Sequence, residues 1–351
     1  MTSIFTLETP AVLIDLDIVE ANIQRTQTLF DTLGIGFRPH IKTHKIPLLA
    51  EWQLKQGAIG IAAQKVSEAE VFAAAGCTDI LLCFNLLSPT KIARLRALMD
   101  LAHMTTVADN LTVVQALSEG MAGSATPLDV LVECDTGMHR CGVQSPQAAC
   151  DLAQAIAAAP GLRFAGLMTY PAPNATAQVQ SFLTAARDLC IAAVGHCDTI
   201  SGGGTPSLME AGLSPILTEY RAGTDIYNDR SLVARSACTL ADCALTVLAT
   251  VVSCPTDTRA ALDSGSKSLT SDLLGLTGYG TILNHPDAQI TGLSEEHGHV
   301  TLPNPTLSVG DKVQIVPNHA CPVSNLVDRV TFHRSGIVWR EAEVAARGCV
   351  V

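Results

Sequence analysis

The sequence predicts an α/β protein, a (β/α)8 TIM-type barrel followed by a smaller β-rich domain, and three observations predict it. From Gly36 to Asp225, short apolar, β-branched runs alternate about eight times with stretches of helical spacing, the pattern of parallel strands joined by crossover helices. Helix-start signals fall between those runs. After Asn228 the rhythm changes to β-branched runs separated by Gly, Pro and Asp turns, with little helical periodicity. The expected domains are 12–228 for the barrel and 1–11 plus 229–351 for the β-rich part, and the opening run Ala11 to Asp15 could serve either.

In chain order, the helix expected from Asp17 carries Val19, Ile23, Thr26, Phe30 and Leu33 along one face, at intervals of three and four. The candidate barrel strands are Gly36 to Lys42, Ala58 to Gln64, Asp79 to Asn85, His103 to Asp109, Leu128 to Asp135, Phe164 to Tyr170, Asp198 to Gly202 and Leu217 to Gly223. Between them, Ser67 with Glu70 three residues on predicts a capping box. Ser88-Pro89 and Ser145-Pro146 each place an N-cap before a first-turn proline. Beyond Asn228 the strand candidates are Ala244 to Ser253, Val313 to Val316 and Val327 to His333.

Composition narrows the function. A chain of 351 residues, 48% apolar and 16% charged, can bury a large core. A formal charge of -11 opposes nucleic acid and anionic membrane alike. Met1 to Pro10 lacks the basic and apolar segments of a signal peptide, and no apolar run is long enough to span a bilayer. The twelve cysteines are scattered without paired zinc spacings, so most are expected to be reduced core residues of a cytoplasmic protein.

In a parallel barrel the active site lies at the carboxyl ends of the strands. Polar clusters there are Arg38-Pro39-His40-Ile41-Lys42-Thr43-His44-Lys45, Asp135 to Val143, Ser201-Gly202-Gly203-Gly204-Thr205-Pro206 and Arg221-Ala222-Gly223-Thr224. A lysine in the barrel mouth, where low dielectric and cations depress its pKa, suits imine chemistry. A glycine-rich turn opening a helix suits a phosphate. On residue types alone, the lysine segment reads more readily as a solvated basic loop, the Asp135 to Val143 segment also reads as a βα turn with a surface arginine, and a glycine-rich loop is a weak signal by itself.

The motifs Pro39-His40-x-Lys42-Thr43-His44-Lys45, Asp135-Thr136-Gly137-Met138-x-Arg140-x-Gly142-Val143, Gly202-Gly203-Gly204-Thr205-Pro206 and Ser294-Glu295-Glu296-His297-Gly298, in this order, resemble those of the D-threonine aldolase and D-serine dehydratase group of alanine-racemase-like enzymes. The resemblance covers nearly the whole chain. It implies pyridoxal 5'-phosphate, with Lys42 as the Schiff-base lysine and Lys45 as its rival. It further implies Arg140 near the cofactor's phenolic oxygen, Tyr170 close by, and Ser201, Gly203, Gly204, Thr205, Gly223 and Thr224 around the phosphate, with Arg221 against the pyridine nitrogen.

The same resemblance makes His319 and Cys321 ligands of a divalent metal, for which a soft thiolate favours zinc, with manganese second. Two residues apart on an extended segment, they are expected to point to one side. His44, His139 and His297 lie in matching motifs and are candidates for a general base, His44 foremost. The implied activity is retro-aldol cleavage of D-β-hydroxy amino acids, ahead of β-elimination, racemisation and non-enzymatic cofactor carriage. The implied assembly is a homodimer. Asp263, in Asp263-Ser264-Gly265-Ser266-Lys267, resembles a family element without a derivable role.

Overall fold

A computed structural model describes residues 2–172 and 175–351. The chain divides into two compact units. One comprises Thr26–Lys42, Pro47–Gly223 and Cys349–Val351, and the other Met1–Arg25, Thr43–Ile46 and Thr224–Gly348.

The strands, in chain order, begin with β1 (Ala11–Asp15). The first unit then supplies β2 (Gly36–Phe37), β3 (Ile61–Ala63), β4 (Asp79–Leu82), β5 (His103–Ala108), β6 (Leu128–Cys134), β7 (Leu162–Thr169), β8 (Thr199–Gly202) and β9 (Glu219–Tyr220). These eight pair in parallel in the order β2-β9-β8-β7-β6-β5-β4-β3. The ring closes through the backbone after β2: Ala62 donates to the Pro39 carbonyl at 2.8 Å and Ile41 to that of Ala62 at 2.9 Å. All eight strand expectations are met, yet the first regular strand ends at Phe37 rather than Lys42. Pro39 has no N–H to offer the ladder, so beyond Phe37 the pairing runs through separate bonds, His40 to the Ala222 carbonyl among them.

Inside the barrel, Leu81, Val107, Leu131 and Met168 form a fully buried layer. Each such side chain contributes about 1.5–3 kcal/mol by leaving water. Ala165 packs on the same layer as Met168 because β7 is irregular: its register against β6 slips between Val130 and Leu131. Gly166 permits this, with φ +143° and a Cα so close to the Thr199 carbonyl that a Cβ would lie 1.9 Å from that oxygen.

Helix starts follow the proline signals. Pro146–Ala158 is capped by the Ser145 hydroxyl accepting from Ala148 N–H at 3.1 Å, and Pro89–Leu98 begins at its proline. The Ser67–Glu70 box is not formed. That helix starts at Val66, and Glu68 caps it, accepting from Gln64 N–H (2.9 Å) and Lys65 N–H (3.1 Å). Glu70 is taken by Arg94 in a bidentate pair, while the Ser67 hydroxyl donates to the Val351 carbonyl.

The second unit holds β1, β10 (Leu245–Thr256), β11 (Arg259–Leu262), β12 (Thr281–Ile282), β13 (Gln289–Leu293), β14 (Gly298–Thr301), β15 (Lys312–Val316), β16 (Arg329–Arg334) and β17 (Ile337–Glu343). β10 pairs successively with β1, β15 and β11, so β10-β15-β12-β13-β14-β11 close on themselves, while β1, β16 and β17 extend the sheet. The opening strand therefore belongs here, antiparallel to β10 and parallel to β16. Leu13 and Leu248 bury against Ile4 at its centre.

Asp263 ties this sheet together: it accepts from Thr250 N–H at 2.7 Å and from the Thr9 hydroxyl at 2.5 Å. All twelve cysteines are free, but only six are buried. Among the described residues, no helix is long and apolar enough to cross a membrane.

Candidate functional site

In the barrel unit, Lys42 follows the strand-end segment, and its N–H points to His40 Nδ1 at 3.4 Å. His40 Nε2 in turn meets Gln64 Oε1 at 3.2 Å. The loop after β6 is shaped by Asp135, whose carboxylate accepts from Gly137 and His139 N–H at 2.9 and 3.0 Å. Burial works against the charge of Asp135, but these bonds outweigh it and hold its pKa below the usual carboxylate range. Gly142, at φ +119°, turns so tightly that a Cβ would lie 2.4 Å from the Asp135 nitrogen. The loop carries Arg140 onto the ring of Tyr170, 4.8 Å from its centroid, a cation–π contact that orients both groups.

After β8, Gly203 adopts φ +96° against the ring of Tyr220, and a Cβ there would fall 2.3 Å from the ring. The Tyr220 hydroxyl donates to the Gly204 carbonyl at 3.0 Å and locks the turn from which the 3-10 helix Thr205–Leu213 starts. Gly204 approaches Tyr170, and Gly223 N–H reaches the Thr205 hydroxyl at 3.2 Å. Arg221 donates to the Ser201 hydroxyl and, at 2.7 Å, to the Thr169 carbonyl. The barrel thus brings Arg140 to Tyr170, Tyr170 to Gly204, Thr205 to Gly223 and Ser201 to Arg221. An amine, two guanidinium groups and a glycine turn that admits no Cβ fit an aldehyde cofactor bearing a phosphate.

Glu133 is a barrel residue that sequence reasoning overlooked. It shares the alternate-residue face of β6 with Leu131 of the inner layer and is buried. Burial pushes its carboxyl above the usual range, opposed by Arg140 and Arg221. The available signal was a carboxylate inside the otherwise apolar run Leu128 to Cys134.

In the β-rich unit, His319 is extended (φ -141°) and caps the helix Ala320–Leu326, so Cys321 sits in a first helical turn, not on the extended segment expected. The two side chains still act on each other, each shifting the other's proton affinity. The arrangement is braced: Asp229 accepts from Ala320 N–H at 3.0 Å, and Asp272 Oδ2 lies 2.8 Å from His319 Nδ1. Thr43 and Thr224 place hydroxyls 3.2 and 3.5 Å from the Cys321 sulfur.

Burial opposes both charges, yet the contact with Cys321, backed by Asp272, carries the His319 pKa up to about 9. The contact with His319, backed by the threonines, carries the thiol of Cys321 down. An imidazole oriented from behind by a carboxylate, beside a sulfur biased towards thiolate, is a metal-ligand pair in its chemistry. Among the described residues no third His, Cys, Asp or Glu joins them, so a metal held here would retain open positions. Asp272 carries no sequence signal, since nothing ties it to His319 across 47 positions.

His44 is buried, with Nδ1 accepting from Ile46 N–H at 3.1 Å and its ring edge-on to Tyr227. His139 and His297 are exposed. Lys45 is buried and donates to the Ala346 carbonyl at 3.2 Å, a structural tie that separates it from Lys42.

Residues 14–231 match the family described as alanine racemase, N-terminal domain, and residues 244–333 the putative serine dehydratase domain. A D-threonine aldolase of Arthrobacter sp is 35% identical over 97% of this chain and 93% of that protein. The crystal structure of D-threonine aldolase from Filomicrobium marinum superposes with a TM-score of 0.89 at 32% identity, covering 99% of this chain and 98% of that one. A D-threo-3-hydroxyaspartate dehydratase mutant in its metal-free form gives a TM-score of 0.89 at 28% identity, covering 98% and 99%.

Proposed function

The chain belongs to the D-threonine aldolase and D-serine dehydratase family of alanine-racemase-like proteins, and from that premise we propose a pyridoxal-phosphate- and metal-dependent lyase that cleaves D-threonine-like β-hydroxy amino acids to glycine and an aldehyde. The observation that carries this reading is the His319–Cys321 pair braced by Asp272. Neither a racemase nor a cofactor carrier has use for a ligand pair of this kind.

Pyridoxal phosphate, when bound, supplies the electron sink that weakens the bonds at a substrate's α-carbon. Lys42 would hold its aldehyde end, the Gly203–Gly204 turn with Ser201, Thr205, Gly223 and Thr224 its phosphate, and Arg140 with Tyr170 its phenolic side. Arg221 keeps its guanidinium fixed by Ser201 and Thr169, and a fixed cation at the ring nitrogen disfavours ring protonation.

His319 and Cys321 would hold a divalent metal, zinc first and manganese second, which would supply a Lewis acid for the β-hydroxyl. His44, whose Nδ1 accepts from Ile46 N–H, is the side chain assigned to proton exchange. The second reading is β-elimination to a keto acid and ammonia, favoured by the dehydratase neighbour. A homodimer in the cytoplasm completes the proposal.

The test is product analysis after loading with pyridoxal phosphate and Zn²⁺ or Mn²⁺, with D-threonine and D-serine offered separately and with L-isomers and chelator as controls. Glycine and acetaldehyde from D-threonine establish the aldolase. Keto acid and ammonia move the assignment to the dehydratase, and metal-independent inversion or no turnover overturns both.

A further inference from the structure

Arg221 is 5% exposed, and a guanidinium so placed needs hydrogen bonds and a counter-charge. The contacts described for it are a hydroxyl and a peptide carbonyl, Ser201 and Thr169. One counter-charge is Glu133, on whose carboxyl Arg221 acts through space, and a second stands one step behind the hydroxyl. Glu219 Oε1 lies 2.5 Å from the Ser201 oxygen, and its Oε2 accepts from Arg38 Nε at 2.9 Å. Arg38 Nη1 then reaches Asp79 Oδ1 at 2.5 Å.

We propose that Glu219 is a positioning residue for Arg221, acting through Ser201, and that Arg38 holds Glu219 in that role. Three arguments support it. Glu219 and Arg221 are two residues apart at the end of β9, so one face of one strand presents both. Ser201 has a single proton, and donating it to Glu219 turns the lone pairs of its oxygen towards Arg221, which fixes the direction of the contact. Below them lies a cavity of about 290 Å³ lined by Arg38, Asp79 and Glu219 among others, so ion pairing more than close packing from that side holds Arg38 and Glu219 in place.

A glutamine at 219 cannot substitute. If its Oε1 keeps the bond from Ser201, its NH2 group confronts Arg38 Nε–H, donor against donor. If the amide flips to satisfy Arg38, it donates to Ser201 and the hydroxyl loses its fixed direction.

The inference rests on the reading that Arg221 faces the cofactor ring, and the experiment separates the two. Apo-protein of wild type, Glu219→Gln, Ser201→Ala, Arg221→Gln and the Glu219→Gln/Arg221→Gln double variant is titrated with pyridoxal phosphate, recording the bound-cofactor absorption band and the apparent Kd, with thermal melts of each apo-protein alongside. Ser201→Ala keeps the Glu219–Arg38 pair and serves if the glutamine variant fails to fold.

The expected result is that Glu219→Gln and Ser201→Ala move the band in the same direction as Arg221→Gln, and that Glu219→Gln, which touches no phosphate contact, weakens Kd by about tenfold. The double variant then goes no further than Arg221→Gln alone. A shift in Arg221→Gln with none in Glu219→Gln or Ser201→Ala overturns the positioning role and leaves the cofactor reading standing. No shift in Arg221→Gln overturns the cofactor reading and the positioning role with it.

Discussion

The two polar clusters of this protein are stabilised in opposite ways. In the barrel, buried charges are balanced by partners far away in sequence: Arg38 meets Glu219 across 181 positions, and Arg221 meets Ser201 across 20. In the β-rich unit, His319 and Cys321 are two residues apart and each shifts the other's proton affinity, with Asp272 and Asp229 bracing them. The difference teaches that the barrel cluster sets buried ions against one another as part of what holds its fold together, while the His–Cys cluster is an adjacent pair on a helix start, braced by carboxylates from elsewhere in its unit. Damage to the first should cost stability, and damage to the second should cost metal.

The largest effect expected is at Lys42. Lys42→Ala should lower turnover by roughly 10³-fold or more and abolish covalent capture of pyridoxal phosphate on borohydride reduction, read by intact mass. Capture persisting at full stoichiometry would return Lys45 to consideration despite its tie to Ala346.

Next comes Arg38→Met, which strands the buried Glu219 carboxylate without its ion pair. It should destabilise the protein by about 3–5 kcal/mol in urea unfolding. A loss under about 1 kcal/mol would break the distinction between the two clusters.

Asp272→Ala sharpens the comparison from the other side. Metal affinity, followed by chelator competition, should fall by about 10–100-fold. The unfolding midpoint of the metal-free protein should stay within about 0.5 kcal/mol of wild type, because Asp272 is half-exposed.

The smallest effect is electrostatic and pH-dependent, at the amino end of the barrel. His103 bridges Asp129 at 2.9 Å and Asp79 at 3.2 Å. Burial lowers its pKa, but these two bonds outweigh it and the net shift is upward. A raised folded-state value means that the contribution is complete below the unfolded value of about 6.5 and is lost as pH climbs through the folded one. With the side chain 54% exposed, wild type should exceed His103→Ala by under about 1 kcal/mol at pH 6, and by less at pH 9. A gap that widens with pH would contradict the sign.

Much of the architecture was legible because it is local. Leu128 to Asp135 was expected as a strand and runs Leu128–Cys134, since an apolar run of that length bounded by turn residues has few other uses. Ser145-Pro146 marked its helix to the residue. The capping box was misplaced by two residues because Glu68 and Glu70 compete for the role, and Arg94, 24 residues on, decides it by taking Glu70. β11, β12, β13, β14 and β17 went unread: the first four are short, and β17 is charged and largely exposed, so no apolar run announces them. Of the site, Lys42, Arg140, the Gly203–Gly204 turn and the His319–Cys321 pair were named from motifs, whereas Glu133 and Asp272 were not.

The sequence by itself determined the barrel, the change to β structure after Asn228 and the residue types fit for cofactor and metal, because periodicity, capping and short motifs act over a few residues. Only the tertiary structure decided which acid answers which base. Arg38 finds Glu219, Ser201 turns its proton away from Arg221, and Asp272 stands behind His319, because Coulomb forces and hydrogen bonds depend on distance in space and are indifferent to separation along the chain.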